Sequence, residues 1–418
     1  MNLERVKEQL VELGSLGRKN GSRVKSYEEL SADKGLWRLE GNEFSRASKD
    51  YLVEKMKEAG LKVRFDRVGN IFGRKEGKDP GMKAVMSGSH LDSVKNGGQF
   101  DGPLGVVGAL EAVRVLSEEG FEHSRPVEVA VFVGEEGSAF ERGLIGSEVL
   151  TGGISYDEVL NLANSDGELL KNVLSDYRGE FLMDLGEVEY FLELHPEQGP
   201  VLDTEAIPVG IVESITGLCW LRVVIEGEEN HAGTTPMKMR KDALVRAADM
   251  VSFVHGKALE MAEKTDGSFV ATVGKIEIHP SATNIIPGRV ELGIDIRDIN
   301  PDNIDAFKEA VNEKTYELGR APGIKTKSEL LINKPPSLCS KEVVETIERA
   351  ARELGLAARK MSSGAAHDAQ NLAGKVKTAM IFVPSVNGIS HSPWEWTSWE
   401  AVEKGVNVLT RAIKELAR

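Results

Sequence analysis

Three short apolar runs, residues 83–87, 127–133 and 190–194, each stop within a few residues of a histidine or an acid, and they limit what this chain can fold into. The runs are shorter than ordinary helices and show little polar alternation, so each reads as a strand buried on both faces. Between the first two, Pro103 opens and Gly120 closes a stretch that places Leu104, Val107, Leu110, Val113 and Leu116 at helical spacing. Strand, helix and strand in that order predict a sheet with helices on its faces. In open sheets of this kind ligands gather beyond the carboxyl ends of the strands, which is where His90, Glu135, Glu136 and His195 fall.

A length of 418 residues exceeds one ordinary core and predicts two domains. After about residue 211 the pattern changes to strand 219–225, helix 241–264, strands 269–278 and 290–296, helix 302–319 and strand 324–331. That β-α-β-β-α-β order is a self-contained ferredoxin-like unit. Beyond Pro335-Pro336 the first pattern resumes, with a helix from 341, a strand at 378–383 and a last helix from 398. The expected fold is therefore α/β: a mixed-sheet domain with helices on both faces, formed by residues 1–212 and 332–418, carrying an inserted α+β ferredoxin-like domain over 213–331.

With 41% hydrophobic and 28% charged residues the chain has the material for a buried core. Its net charge of -14, without any basic stripe, argues against a nucleic-acid partner. Leu3, Val6, Leu10 and Leu13 space one face of an N-terminal helix that is charged from Glu4 onward, which is neither a signal peptide nor a membrane span. Cys219 and Cys339 form no paired motif, so no disulfide framework is expected and the cytoplasm is the default location.

The chemistry begins with His90 and Asp92, which point to the same side of an extended chain. If one imidazole nitrogen binds a metal, Asp92 can accept a hydrogen bond from the other and fix the tautomer. Asp101 lies in the turn Gly97-Gly98-Gln99-Phe100-Asp101-Gly102 ahead of the Pro103 helix, where a simple helix cap is the competing reading. Glu135 and Glu136 repel each other at the end of a buried strand unless a proton or cation compensates. One of them could hold a metal while its neighbour shuttles a proton; a solvated acidic loop is the alternative. His195 and His391, each at a polar exit, read equally as hydrogen-bonded edge residues, and His231 as a loop histidine. Mixed histidine and carboxylate donors suit zinc, manganese, cobalt or nickel better than magnesium or calcium.

Taken together, Gly-Ser-His-Leu-Asp at 88–92, the Gly97–Gly102 turn, Glu-Glu-Gly-Ser at 135–138, Glu-Leu-His-Pro-Glu-Gln-Gly at 193–199, His-Ala-Gly-Thr-Thr-Pro-Met at 231–237, Asp-Ile-Arg at 295–297, Ser-Gly-Ala-Ala-His-Asp-Ala at 363–369 and Gly-Ile-Ser-His-Ser at 388–392 are a specific set. They resemble the amidase, hydantoinase and carbamoylase branch of the M20 metallopeptidase family, which includes N-carbamoyl-L-amino acid hydrolases and allantoate amidohydrolases. The resemblance implies a phosphorylase/hydrolase-like catalytic domain, a lid and dimerisation domain, and two divalent metal ions. By the same resemblance His90 and His195 hold one metal, Glu136 and His391 the other, and Asp101 bridges them. Glu135 is then the general base and acid, Asp92 the orienting residue, and His231 stabilises the oxyanion across a homodimer interface. Arg297, whose plain reading is a strand-end salt bridge, binds a substrate carboxylate, with Asn284, Gln198, Gly364, Ala365 and His367 as further contacts and Asp368 close by. Ser93 and Pro196 depart from the family pattern without removing a ligand. The implied reaction is hydrolysis of the carbamoyl C–N bond of N-carbamoyl-L-amino acids. Allantoate or another ureido acid, and a peptide, are the rival substrates, and Glu135 argues against a non-catalytic binding protein.

Overall fold

A computed structural model describes residues 1–140, 142–265 and 267–418, which divide into two compact units. Met1–Ser214 and Leu338–Arg418 form the first, and Ile215–Ser337 the second.

Nine strands make the large sheet, in the spatial order Lys62–Phe65, Ile71–Lys75, Val127–Phe132, Ala84–His90, Val188–Pro196, Lys377–Val383, Val209–Ile215 and Ser337–Leu338, with Ala358–Ser363 also pairing to Val209–Ile215. The four central strands, starting at 127, 84, 188 and 377, run parallel, while the strands starting at 62 and 71, at 71 and 127, and at 377 and 209 pair antiparallel. Parallel strands must be covered on both faces, and the strand ending at His90 is buried at every position. The chain leaves it toward the 127 strand on one side, while the 188 strand lies on the other. The order thus reverses at His90, and in open sheets the carboxyl ends at such a reversal are where ligands bind.

Helix Pro103–Glu118 fits its expected span and is buried from Pro103 through Leu116, so it is a core helix rather than a surface one. Just before it, Phe100 is fully buried against Trp396 and Trp399, with ring centroids 5.1 and 5.5 Å away in edge-on geometry. Removing a buried aromatic such as this costs about 3–5 kcal/mol, so the turn carrying Asp101 is anchored by its neighbour. The antiparallel pair at 62–75, with helix Glu43–Glu58 before it, extends the sheet beyond the strands expected from sequence.

In the second unit the strands Gly217–Glu226, Val270–His279, Arg289–Asp298 and Lys325–Lys334 form one antiparallel sheet with the last, first, third and second side by side. That is the ferredoxin-like order. Cys219, Leu221, Val223 and Ile225 are buried while Trp220 is exposed, the alternation of a sheet with one covered face. Helices Ala243–Lys264 and Pro301–Gly319 supply the cover. A small ladder, Asn230–His231 with Ile285–Ile286, stands beyond the end of the sheet. Among the described residues no helix is long and apolar enough to cross a membrane.

Candidate metal centre

Four separate segments of the first unit converge beyond the carboxyl ends of these strands. His90 ends its strand, and the Asp101 turn folds back over it: a Cβ on Gly102, where φ is +83°, would lie 2.5 Å from the His90 ring. Glycine at 102 is what permits this approach. Asp101 Oδ1 lies 3.5 Å from His90 Nε2 and 3.1 Å from His195 Nε2, and Oδ2 lies 3.3 Å from His391 Nε2. Glu136 Oε2 is 3.3 Å from the same His391 nitrogen. His90, Asp101 and His195 form one group of possible ligand atoms, and Asp101, Glu136 and His391 another, with all atoms in each group within 4.8 Å of one another. Asp101 belongs to both.

The histidines are oriented from behind. The Nδ1–H of His90 donates to the Asp92 main-chain oxygen at 3.1 Å, and that of His195 to the Pro196 oxygen at 3.0 Å. With Nδ1 engaged, each ring turns Nε2 toward Asp101. The Asp92 carboxylate was expected to orient His90, yet it stands 3.7 Å from Nδ1. Its oxygens accept instead from the Glu135 and Glu136 N–H groups, both at 3.2 Å, so it fixes the turn that carries the two glutamates.

Burial, reinforced by Glu136, Asp368 and Asp101, holds the Glu135 carboxyl well above the usual carboxylate range, and burial with Asp101 pushes Glu136 up to about 8. Asp101 moves the other way: burial opposes its charge, but contacts from His195, His391 and His90 hold it well below the ordinary value. Glu135 Oε2 lies 3.7 Å from His90 Nε2 and belongs to neither ligand group.

Glu136 Oε1 is buried with no hydrogen-bond partner, and His195 Nε2, although 3.1 Å from Asp101 Oδ1, makes no well-aligned hydrogen bond. A polar atom buried in this way costs about 1–3 kcal/mol, which a cation would recover. The donor set therefore fits divalent metal. A third cluster, Glu193, His195 and His367, is also compact. Its other members are engaged within the protein: Glu193 accepts from Ser89 Oγ at 2.7 Å and Ala369 N at 3.0 Å, and His367 Nε2 contacts Ser363 Oγ at 2.9 Å.

The expected substrate contacts divide between the units. Gln198 donates to Asp101 Oδ2 at 2.7 Å and so belongs to the centre itself. His367, 2% exposed, packs edge-on against His195 at 4.5 Å and supports that ring from behind, with Asp368 fully buried beside it. A side chain on Gly364 would meet nothing within 4 Å, and Ala365 N–H donates to Ser363 Oγ at 3.1 Å. In the second unit His231 is exposed and its Nδ1 accepts from Gly233 N at 2.9 Å and Thr234 N at 3.2 Å, which places the proton of a neutral ring on Nε2. Asn284 is its neighbour through an Ala232 N–H bond of 3.0 Å to the Asn284 oxygen. Arg297 is paired with Asp295 through Nε at 2.9 Å and Nη2 at 3.1 Å, the strand salt bridge of its plain reading. Sequence reasoning missed Glu395, a fully buried acid four residues past His391 with no motif to mark it.

Residues 86–415 match the peptidase family M20/M25/M40. An N-carbamoyl-L-amino acid amidohydrolase from Geobacillus stearothermophilus is 37% identical over 99% of this chain and 98% of its own length. An allantoate amidohydrolase from Escherichia coli is 34% identical over 87% of this chain and 89% of its own. The crystal structure of an amidase of the hydantoinase/carbamoylase family from Burkholderia multivorans superposes with a TM-score of 0.86 at 33% identity, covering 100% of this chain and 98% of that one. The chain belongs to the M20 family, in its amidase, hydantoinase and carbamoylase branch.

Proposed function

We propose that this protein hydrolyses the carbamoyl C–N bond of N-carbamoyl-L-amino acids, releasing the amino acid, carbon dioxide and ammonia. The observation that carries the reading is the pairing of one carboxylate, Asp101, shared by two ligand groups, with a second, Glu135, beside them but outside both. His90 and His195 would hold one divalent cation and Glu136 and His391 another, with Asp101 between them. Zinc, manganese, cobalt and nickel all suit these donors. When bound, the cations supply Lewis acidity that polarises the ureido carbonyl and acidifies an attacking water.

Glu135 takes the proton from that water and returns it to the leaving nitrogen, since it stands beside both ligand groups without belonging to either. His231 offers an Nε2–H donor to the developing oxyanion. Arg297 exchanges Asp295 for the substrate carboxylate.

The second unit supports a homodimer in which His231 acts in trans. Arg289 pairs with Glu226 and Arg297 with Leu218 along one strand. Eight residues of strand span about 26 Å. His231 lies past the Glu226 end, so His231 and Arg297 of one chain are much farther apart than the length of an N-carbamoyl amino acid. Serving two different sites resolves this.

The test is a turnover panel on metal-loaded protein, with N-carbamoyl-L-amino acids, allantoate and dipeptides compared by kcat/KM. The proposal expects the carbamoyl amino acids to be cleaved fastest. Faster cleavage of allantoate would transfer the reading to the activity named for the Escherichia coli relative, and faster cleavage of dipeptides would refute both.

A further inference from the structure

Glu395 is 1% exposed and takes no place in either ligand group, yet it touches the segments that supply both. Its Oε1 accepts from Phe100 N at 2.9 Å and Asp101 N at 3.0 Å. Oε2 accepts from Ser390 Oγ at 2.9 Å, one residue ahead of His391. Space for the carboxylate comes from Gly98, where a Cβ would lie 2.2 Å from the Glu395 carboxyl carbon. One acid thus joins two loops nearly three hundred residues apart in sequence, and both carry proposed ligands.

The side-chain relay adds a second route to Asp101. Ser390 Oγ lies 3.3 Å from Asp101 Oδ2 but has one proton, and Glu395 is the nearer acceptor. With that proton given to Glu395, the Ser390 lone pair accepts from Gln198 Nε2 at 3.2 Å, and the same amide donates to Asp101 Oδ2 at 2.7 Å. Glu395 therefore holds Asp101 by its main chain directly and by its carboxylate through Ser390 and Gln198. Arg18 and Arg38, both buried, bring positive charge to this region while bonding main-chain oxygens of Lys34, Leu13 and Leu91.

We infer that Glu395 is a positioning residue, which clamps the Asp101 turn to the His391 loop and sets the spacing of the donors for the second cation. The inference rests on the proposed metal reading. Glu395→Gln is the informative variant: it keeps one oxygen for the two N–H groups, but its NH2 donates to Ser390 and frees the hydroxyl proton to turn on Asp101.

Calorimetric titration of the EDTA-stripped full-length protein with zinc alone reads the outcome, together with the thermal midpoint of the metal-free form. For Glu395→Gln one of two zinc affinities is expected to fall about 10–100-fold while the other holds. The metal-free midpoint should stay near wild type, and excess zinc should restore kcat with KM unchanged. Ser390→Ala should weaken the same site to a smaller extent. Two unchanged zinc affinities in Glu395→Gln, with or without a lowered midpoint, would reduce Glu395 to a brace of the fold and overturn the inference. Wild-type protein that binds no zinc would instead overturn the metal reading beneath it.

Discussion

Lys49→Met tests whether a buried ion pair holds the turn that carries Glu135. Lys49 Nζ lies 2.5 Å from Glu40 Oε1, with both side chains 2% exposed. The same oxygen accepts from Ser45 Oγ at 3.0 Å, and Oε2 accepts from Gly134 N at 3.2 Å, the residue before Glu135. Methionine preserves the stem and removes only the charge, leaving the Glu40 carboxylate buried without its cation. Breaking a pair at this depth costs about 3–5 kcal/mol, because desolvation of the remaining charge is no longer offset. Adding Glu40→Gln removes that charge too, so the double variant should be more stable than the sum of the singles implies, by about 2 kcal/mol or more. Urea unfolding followed by tryptophan fluorescence and circular dichroism in parallel measures this and shows whether the two units unfold together. Single substitutions costing under about 1 kcal/mol, or strictly additive ones, would refute the argument. Because Gly134 hangs on Glu40, Lys49→Met should also lower kcat more than it changes KM.

The metal-free protein should lose stability from about pH 5 to 9, because burial raises Glu135, Glu136 and Asp368 together. Burial and Asp101 push Glu136 up to about 8, and the Asp101 contact pushes His391 up to about 9, so the folded chain keeps protons that the unfolded chain gives up at lower pH. That contribution is complete below the unfolded values and lost as pH rises through the folded ones. His391, whose side chain is 52% exposed, adds a smaller share. Thermal midpoints across this range, with EDTA and with zinc, should slope downward more steeply for the metal-free form, and equal slopes with and without zinc would contradict the assignment. Arg297→Ala should raise KM for carboxylate-bearing substrates by about 10–100-fold, which steady-state kinetics against uncharged amides checks. Mixing inactive His231→Ala and Glu135→Gln subunits should regenerate about one quarter of wild-type turnover if His231 acts in trans, because only one site of each mixed dimer is then intact; no recovery after confirmed subunit exchange would place His231 in cis.

The parallel strands were legible because burial on both faces writes itself as an unbroken apolar run, and their carboxyl ends then located His90, Glu135 and His195. The ferredoxin-like unit was legible for the related reason that Cys219 to Ile225 and Val290 to Ile296 supply its buried face. Lys62–Phe65 and Ile71–Lys75 were not, since their positions are short, partly exposed and interrupted by charge. The site was legible as a set of residue types but not as a hydrogen-bond pattern. Nothing in His90-Leu91-Asp92 says that a main-chain oxygen will take the imidazole N–H while the carboxylate caps the glutamate turn. Glu40, Lys49 and Glu395 were invisible for another reason: buried charge is found through its partner, and these partners meet only after folding.

Glu135→Gln, with metal content and turnover measured on the same preparation, tests the central claim most directly. The amide preserves the shape of a side chain that belongs to neither ligand group, so two divalent cations per chain should remain by elemental analysis. Loss of the proton shuttle should lower kcat on an N-carbamoyl-L-amino acid by about 10²–10⁴-fold. Turnover close to wild type, or loss of a cation along with activity, would contradict the account.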